Sequence, residues 1–156
     1  MNRIQVGEKI PSVILYEEIP DNEINISNLI AGKKVIIFGV PGAFVPGCSR
    51  VHLRGFIEKS DELRAKGYEE IICVAVNDPF VLSAWGWSKG ANEKVRLLAD
   101  PMARFTQAMG MGTEMPELGG TRSRRYSMVT INGIVREIFT DVDNVKLMCQ
   151  GPKFCI

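Results

Sequence analysis

The chain has one histidine in 156 residues, His52, and its four cysteines, at positions 48, 73, 149 and 155, form no C-x-x-C pair. Structural zinc takes four ligands with paired spacing, so these residue types offer no metal site, and no cofactor is implied. Without C-x-x-C, thiol–disulfide oxidoreductase chemistry has little to work with. No apolar run approaches the ~20 residues that a membrane span needs. The opening M-N-R-I-Q-V-G-E-K-I-P has no long apolar stretch of the signal-peptide kind, so the expected location is cytoplasmic, with no membrane partner. Charge of one sign is also lacking: the formal net charge is +1, which implies no nucleic-acid partner.

What is present is a soluble-domain composition, 46% hydrophobic and 24% charged, without repeats or low-complexity segments. A chain of this length buries a core without staples, so residues 1–156 read as a single domain. In a reducing compartment its cysteines are then either inert or redox chemistry.

One cysteine stands out by its setting. Lys34 to Val40, K-V-I-I-F-G-V, is a short β-branched apolar run of the kind buried on both faces of a sheet. Pro41, Gly42, Pro46 and Gly47 turn the chain, and then Leu53, Phe56, Ile57 and Leu63 recur at helical spacing. Cys48 falls where the helix begins. Unpaired N–H groups and a positive dipole end there favour a thiolate, the nucleophilic form of the residue.

Along the rest of the chain, Pro11 to Tyr16 reads as an edge strand and Asn25 to Ile30 as a connector. The helix from Cys48 ends near Lys66-Gly67, and Glu69 to Val76 is a second apolar strand with Cys73 near its centre. Asn77-Asp78-Pro79 starts a helix that runs to about Lys89, with Gly90 after it. Val95 to Ala99 is a third strand and Phe105 to Met109 a helical piece. Gly110 to Arg125, rich in glycine and arginine, reads as a long loop. Tyr126 to Ile131 and Ile134 to Phe139 are strands joined by Asn132-Gly133, a strong hairpin signal. The order predicts an α/β sandwich with a mixed central sheet. Phe44, Phe80 and Trp85 suit either a subunit contact or the core.

The segment P-G-A-F-V-P-G-C-S-R-V-H-L-R-G-F, Pro41 to Phe56, resembles the peroxiredoxins, thiol peroxidases of thioredoxin-like fold. It is most similar to the peroxiredoxin 5 or plant type II branch, whose loop reads P-G-A-F-T-P-T-C-S followed by H-L-x-G-F. The likeness continues through N-D-P-F-V-L-S-A-W-G, K-V-R-L-L-A-D-P and R-S-R-R-Y-S-M-V, so it covers nearly the whole chain. It implies a thioredoxin-like three-layer sandwich, and a peroxidase that reduces hydrogen peroxide and alkyl hydroperoxides through a sulfenic acid on Cys48.

By the same resemblance Arg125 lies beside the thiolate, Pro41 shields the sulfur, and backbone N–H groups around Gly47 and Cys48 hold the peroxide. Cys149 sits where animal members carry a resolving cysteine, and Cys73 at the second cysteine of plant members. Cys155 has no counterpart. Thioredoxin, glutaredoxin or glutathione could serve as external reductant, and a homodimer is expected by analogy.

Three residues depart from the family pattern: Val45 and Gly47 stand in place of threonines, and Arg54 where proline is common. Valine keeps the shape of threonine and deletes a hydroxyl that would face thiolate and peroxide. Losing one aligned donor typically costs about 10²–10³ in rate. Two function classes follow: a peroxidase, slowed at Val45, or a redox-sensing or interaction protein on the same scaffold with little turnover.

Overall fold

In the computed structural model, described for residues 2–46 and 52–140, a seven-stranded mixed sheet forms the middle layer. Its strands are β1 (Ile14–Tyr16), β2 (Glu23–Asn25), β3 (Lys34–Val40), β4 (Glu70–Ala75), β5 (Arg96–Ala99), β8 (Tyr126–Ile131) and β9 (Ile134–Thr140), in the order β2-β1-β5-β4-β3-β8-β9. β3 runs parallel to β4 and antiparallel to β8, and β4 runs parallel to β5. Six of the seven residues of β3 are buried, as its uninterrupted apolar sequence requires.

Alternation along β3 divides the core into two layers. Ile36, Phe38 and Val40 face one cluster with Leu53, Phe56, Leu63, Leu82 and Trp85. These come from α2 (Arg54–Glu58), α3 (Ser60–Ala65), α4 (Pro79–Lys89) and the turn before α2. Val35 and Ile37 face the opposite cluster, with Ile26 and Ile30 of α1 (Ile26–Ile30) and Phe105 of α5 (Arg104–Ala108). The result is helices on both faces of a sheet, the expected three-layer sandwich.

Local chemistry sets the element ends. Asp78 caps α4, its carboxylate accepting from the Val81 N–H at 2.9 Å, and Gly90 closes the helix with φ of 72°. Asn132 and Gly133 adopt φ of 51° and 76°, the two positive values of a type I′ hairpin.

Four expectations need correction. β1 is not an edge strand: Glu23–Asn25 pairs outside it, and the supposed connector is the end of that strand followed by α1. The helix after Cys48 is broken, with a wider π-type turn at His52 and Leu53 and an interruption at Lys59 between α2 and α3. Gly110 to Arg125 is not an irregular loop but a second, two-stranded sheet, β6 (Gly112–Met115) with β7 (Gly120–Ser123) across a 3₁₀ turn at Pro116–Leu118. Its glycines, which look like loop residues, occupy strand starts and the turn, where Gly119 and Gly120 have φ of 97° and 134°. Of the three aromatic residues suited to either core or contact, Trp85 is fully buried, whereas Phe44 and Phe80 are exposed, as is Trp87.

Gly39 is needed for another reason. It pairs with Tyr126 across β3 and β8, and a Cβ on it would lie 2.2 Å from the Tyr126 ring, which is itself fully buried. The ring occupies the space that any other residue would fill. Gly39→Ala should therefore destabilise the protein by about 1–3 kcal/mol, the usual cost of overpacking a close-packed core. Urea unfolding of the two proteins measures it.

Candidate active site

Parallel strands β3 and β4 end side by side, Val40 opposite Ala75, and open α/β sheets bind ligands outside such carboxyl ends. The chain leaves β3 through Pro41 and Gly42, both buried. Ala43 follows, its N–H donating to Asn77 Oδ1 at 2.8 Å, so the second residue past β4 holds the loop after β3. Phe44 takes φ of 67°, a left-handed value unusual for a bulky residue, and projects outward at 54% exposure. Val45 is half-buried, and its N–H reaches back to the Gly42 carbonyl at 3.4 Å. Gly47 and Cys48 lie outside the described residues, as do Cys149 and Cys155.

Arg125 reaches the same end of the sheet by register. Gly39 pairs with Tyr126 in the antiparallel β3–β8 ladder, so one step further Arg125 falls level with Val40, next to Pro41. Its side chain is half-buried, and its positive charge acts on the ring of His52. Pro41 and Val45 thus share the loop after β3, and Arg125 lies just before β8 at the same end of the sheet.

His52 is completely buried, with Nε2 3.0 Å from Ser127 Oγ on β8 and its ring tilted against the stacked pair Phe38 and Phe56, at centroid distances of 4.9 and 5.4 Å. Nδ1 has no partner among the described residues. Burial first, and the Arg125 charge second, push its pKa from 6.5 down to about 3. At neutral pH the imidazole is uncharged, so it anchors the helix to the sheet and gives a thiolate no positive charge. Tyr126 is held protonated in the same way, its pKa raised first by burial and then by the Asp100 charge.

Cys73 is also fully buried. It sits in β4 opposite Phe38 and belongs to the core layer shared with Leu53 and Phe56.

Two site residues escape a reading of the sequence. Asn77 looks like part of a helix-start signal, yet Asp78 is the cap and Asn77 holds the loop. Arg122 looks like one charge in a basic stretch. It donates from Nη1 to the Val76 carbonyl at 2.9 Å and to that of Pro41 at 3.5 Å, and from Nη2 to that of Leu118 at 2.7 Å. Only long-range pairing could have revealed either.

With this geometry in place, comparison with known proteins is decisive. The Redoxin family profile matches residues 5–149. The chain belongs to the Redoxin family. Within it the chain is a peroxiredoxin, a thiol peroxidase. It is 44% identical over 133 residues to Peroxiredoxin-2B of Arabidopsis thaliana, covering 83% of this chain and 82% of that one. Peroxiredoxin-2C of Oryza sativa subsp. japonica is 46% identical over 136 residues, with 85% and 84% covered. Among solved structures, peroxiredoxin 5 from Alvinella pompejana matches with a TM-score of 0.85 at 40% identity, over 94% of this chain and 96% of its own. Reduced Prx3 of Vibrio vulnificus, solved in complex with hydrogen peroxide, matches at 0.84 and 42% identity, over 88% and 87%. The peroxiredoxin fold expected from the motifs is thus the fold observed. Among the described residues no helix is long and apolar enough to cross a membrane.

The neutral state of His52 has a measurable consequence. An unfolded chain takes up a proton near pH 6.5 that the folded protein refuses until about pH 3, so this residue lowers stability as pH falls between those values. His52→Gln should be less stable than the parent at pH 7, with a deficit that shrinks by up to ~1.4 kcal/mol per pH unit below 6. Urea unfolding of both proteins from about pH 4 to about pH 7 reads the difference.

Proposed function

We propose that Cys48 is the peroxidatic nucleophile of this peroxiredoxin. Its thiolate attacks the terminal oxygen of a hydroperoxide; an S–O bond forms as the O–O bond breaks. The departing hydroxide or alkoxide takes a proton and leaves as water or alcohol, and the sulfur is left as a sulfenic acid. The reading is carried by the placement of Arg125 at the carboxyl end of β3, level with Val40 and next to the Pro41 loop. With His52 neutral, Arg125 supplies a fixed positive charge for a thiolate and a developing oxyanion, and its planar fork suits both. Pro41 shields the sulfur, and the backbone around Gly47, with Val45, forms the peroxide-binding loop.

The sulfenic acid condenses with a second thiol, releasing water and forming a disulfide that a dithiol then reduces. We assign that step to Cys149 or to an external thiol of the thioredoxin, glutaredoxin or glutathione class. Cys73 would have to leave the middle of the sheet to take part. The working unit is a homodimer: Phe44 and Phe80 expose 54% and 62% of their surfaces, and the Ala43–Asn77 hydrogen bond holds their two segments together.

Val45 supports a second reading, a redox sensor with little turnover, because it places a methyl group where a hydroxyl would assist. Stopped-flow oxidation of the protein by hydrogen peroxide and by an alkyl hydroperoxide separates the two. For a peroxidase, oxidation outpaces that of a free thiol and vanishes in Cys48→Ser, and Val45→Thr raises the rate by about tenfold or more. Oxidation no faster than a free thiol in both parent and Val45→Thr would overturn the peroxidase assignment of Cys48. For the dimer, Phe80→Asp should shift the light-scattering mass toward a monomer.

A further inference from the structure

Arg122 stands on β7, in the small sheet, and reaches across to three separate segments. Its guanidinium meets the carbonyls of Pro41, Val76 and Leu118, one each from the loop after β3, the end of β4 and the 3₁₀ turn. No carboxylate is among these partners. Main-chain carbonyls just past two adjacent strand ends accept from one planar cation, which ties them together.

A second observation involves Gly42. A Cβ there would lie 2.9 Å from Arg122 Nη1, 3.4 Å from a methyl of Val45 and 3.7 Å from Asn77 Oδ1. Gly42 has an ordinary backbone conformation, so its missing side chain serves space and not torsion. The guanidinium packs against the bare α-carbon. On the other side Asn77 takes the Ala43 N–H, so the turn Pro41–Ala43 is gripped from β7 and from the end of β4.

We propose that Arg122 is the positioning residue of the peroxidatic site: its fork sets the height of the Pro41–Gly42 turn and through it the loop that carries Cys48. Arg125 acts on the reacting atoms, and Arg122 acts only through the backbone. The charge of Arg122 is incidental, and the geometry of its donors is what the loop requires. Small misplacements of reacting groups are costly, with about 1 Å worth up to ~10² in rate.

The proposal rests on Cys48 being the nucleophile, which the parent rate and the Cys48→Ser control establish separately. Its own test uses Arg122→Lys, Gly42→Ala and the double variant, each assayed for oxidation rate by hydrogen peroxide across pH and for the Cys48 thiol pKa. Lysine keeps the charge and loses the fork, while alanine at 42 pushes the fork away. Each single variant should lower the rate on the high-pH plateau by about tenfold to a hundredfold with the thiol pKa unmoved. The double variant should be no slower than the slower single one, because both break the same contact. An unchanged plateau in a less stable protein would overturn the proposal, as would losses that multiply or that follow wholly from a raised thiol pKa. Should Arg122→Lys fail to fold, Gly42→Ala alone decides by the same plateau and pKa readings.

Discussion

The pairing of Gly39 with Tyr126 sets the register of β8 against β3, and with it the level of Arg125 and Ser127 at this end of the sheet. A bare α-carbon on β3 accepts a buried aromatic ring from β8, and slipping the ladder would drive that ring into a residue with a side chain. Register locked in this way puts Arg125 level with Val40 and next to Pro41. The same ladder carries Ser127 to the imidazole of His52, so the strand that delivers the cation also holds down the helical layer.

Charge at this end of the molecule is accordingly simple. The imidazole is buried and uncharged, the tyrosine hydroxyl is protonated, and the cations are guanidiniums, which keep their charge at any physiological pH. Arg122 and Arg125 lie three residues apart, Arg122 on β7 of the small sheet and Arg125 just before β8 of the large one; the first is spent on carbonyls, and the charge of the second acts on His52. A site arranged this way does not depend on a titrating histidine for its field.

Much of this was legible in the sequence because the signals are local. The apolar run of β3, the Asp78-Pro79 start of α4 and the Asn132-Gly133 hairpin each follow from a few neighbouring residues. The P-G-A-F-V-P-G-C-S loop pointed to the family. Misreadings came where the decisive partner is distant in sequence. Gly110 to Arg125 looked like a loop because a two-stranded sheet is defined by pairing, and its glycine content hides the alternation that marks a strand. Trp85 and Trp87 are two residues apart on one helix, so only the packing of α4 against the sheet could say which is core. Arg122 could not be separated from its basic neighbours without the carbonyls it meets.

The burial of Cys73 has a consequence for how thiol chemistry on this protein reads. Sealed in the fourth strand between two neighbours, it meets an alkylating reagent only when the sheet itself opens. Where reclosing outpaces alkylation, its labelling rate tracks the population of globally opened molecules. The chain thus carries its own stability clock, an internal probe that needs no dye.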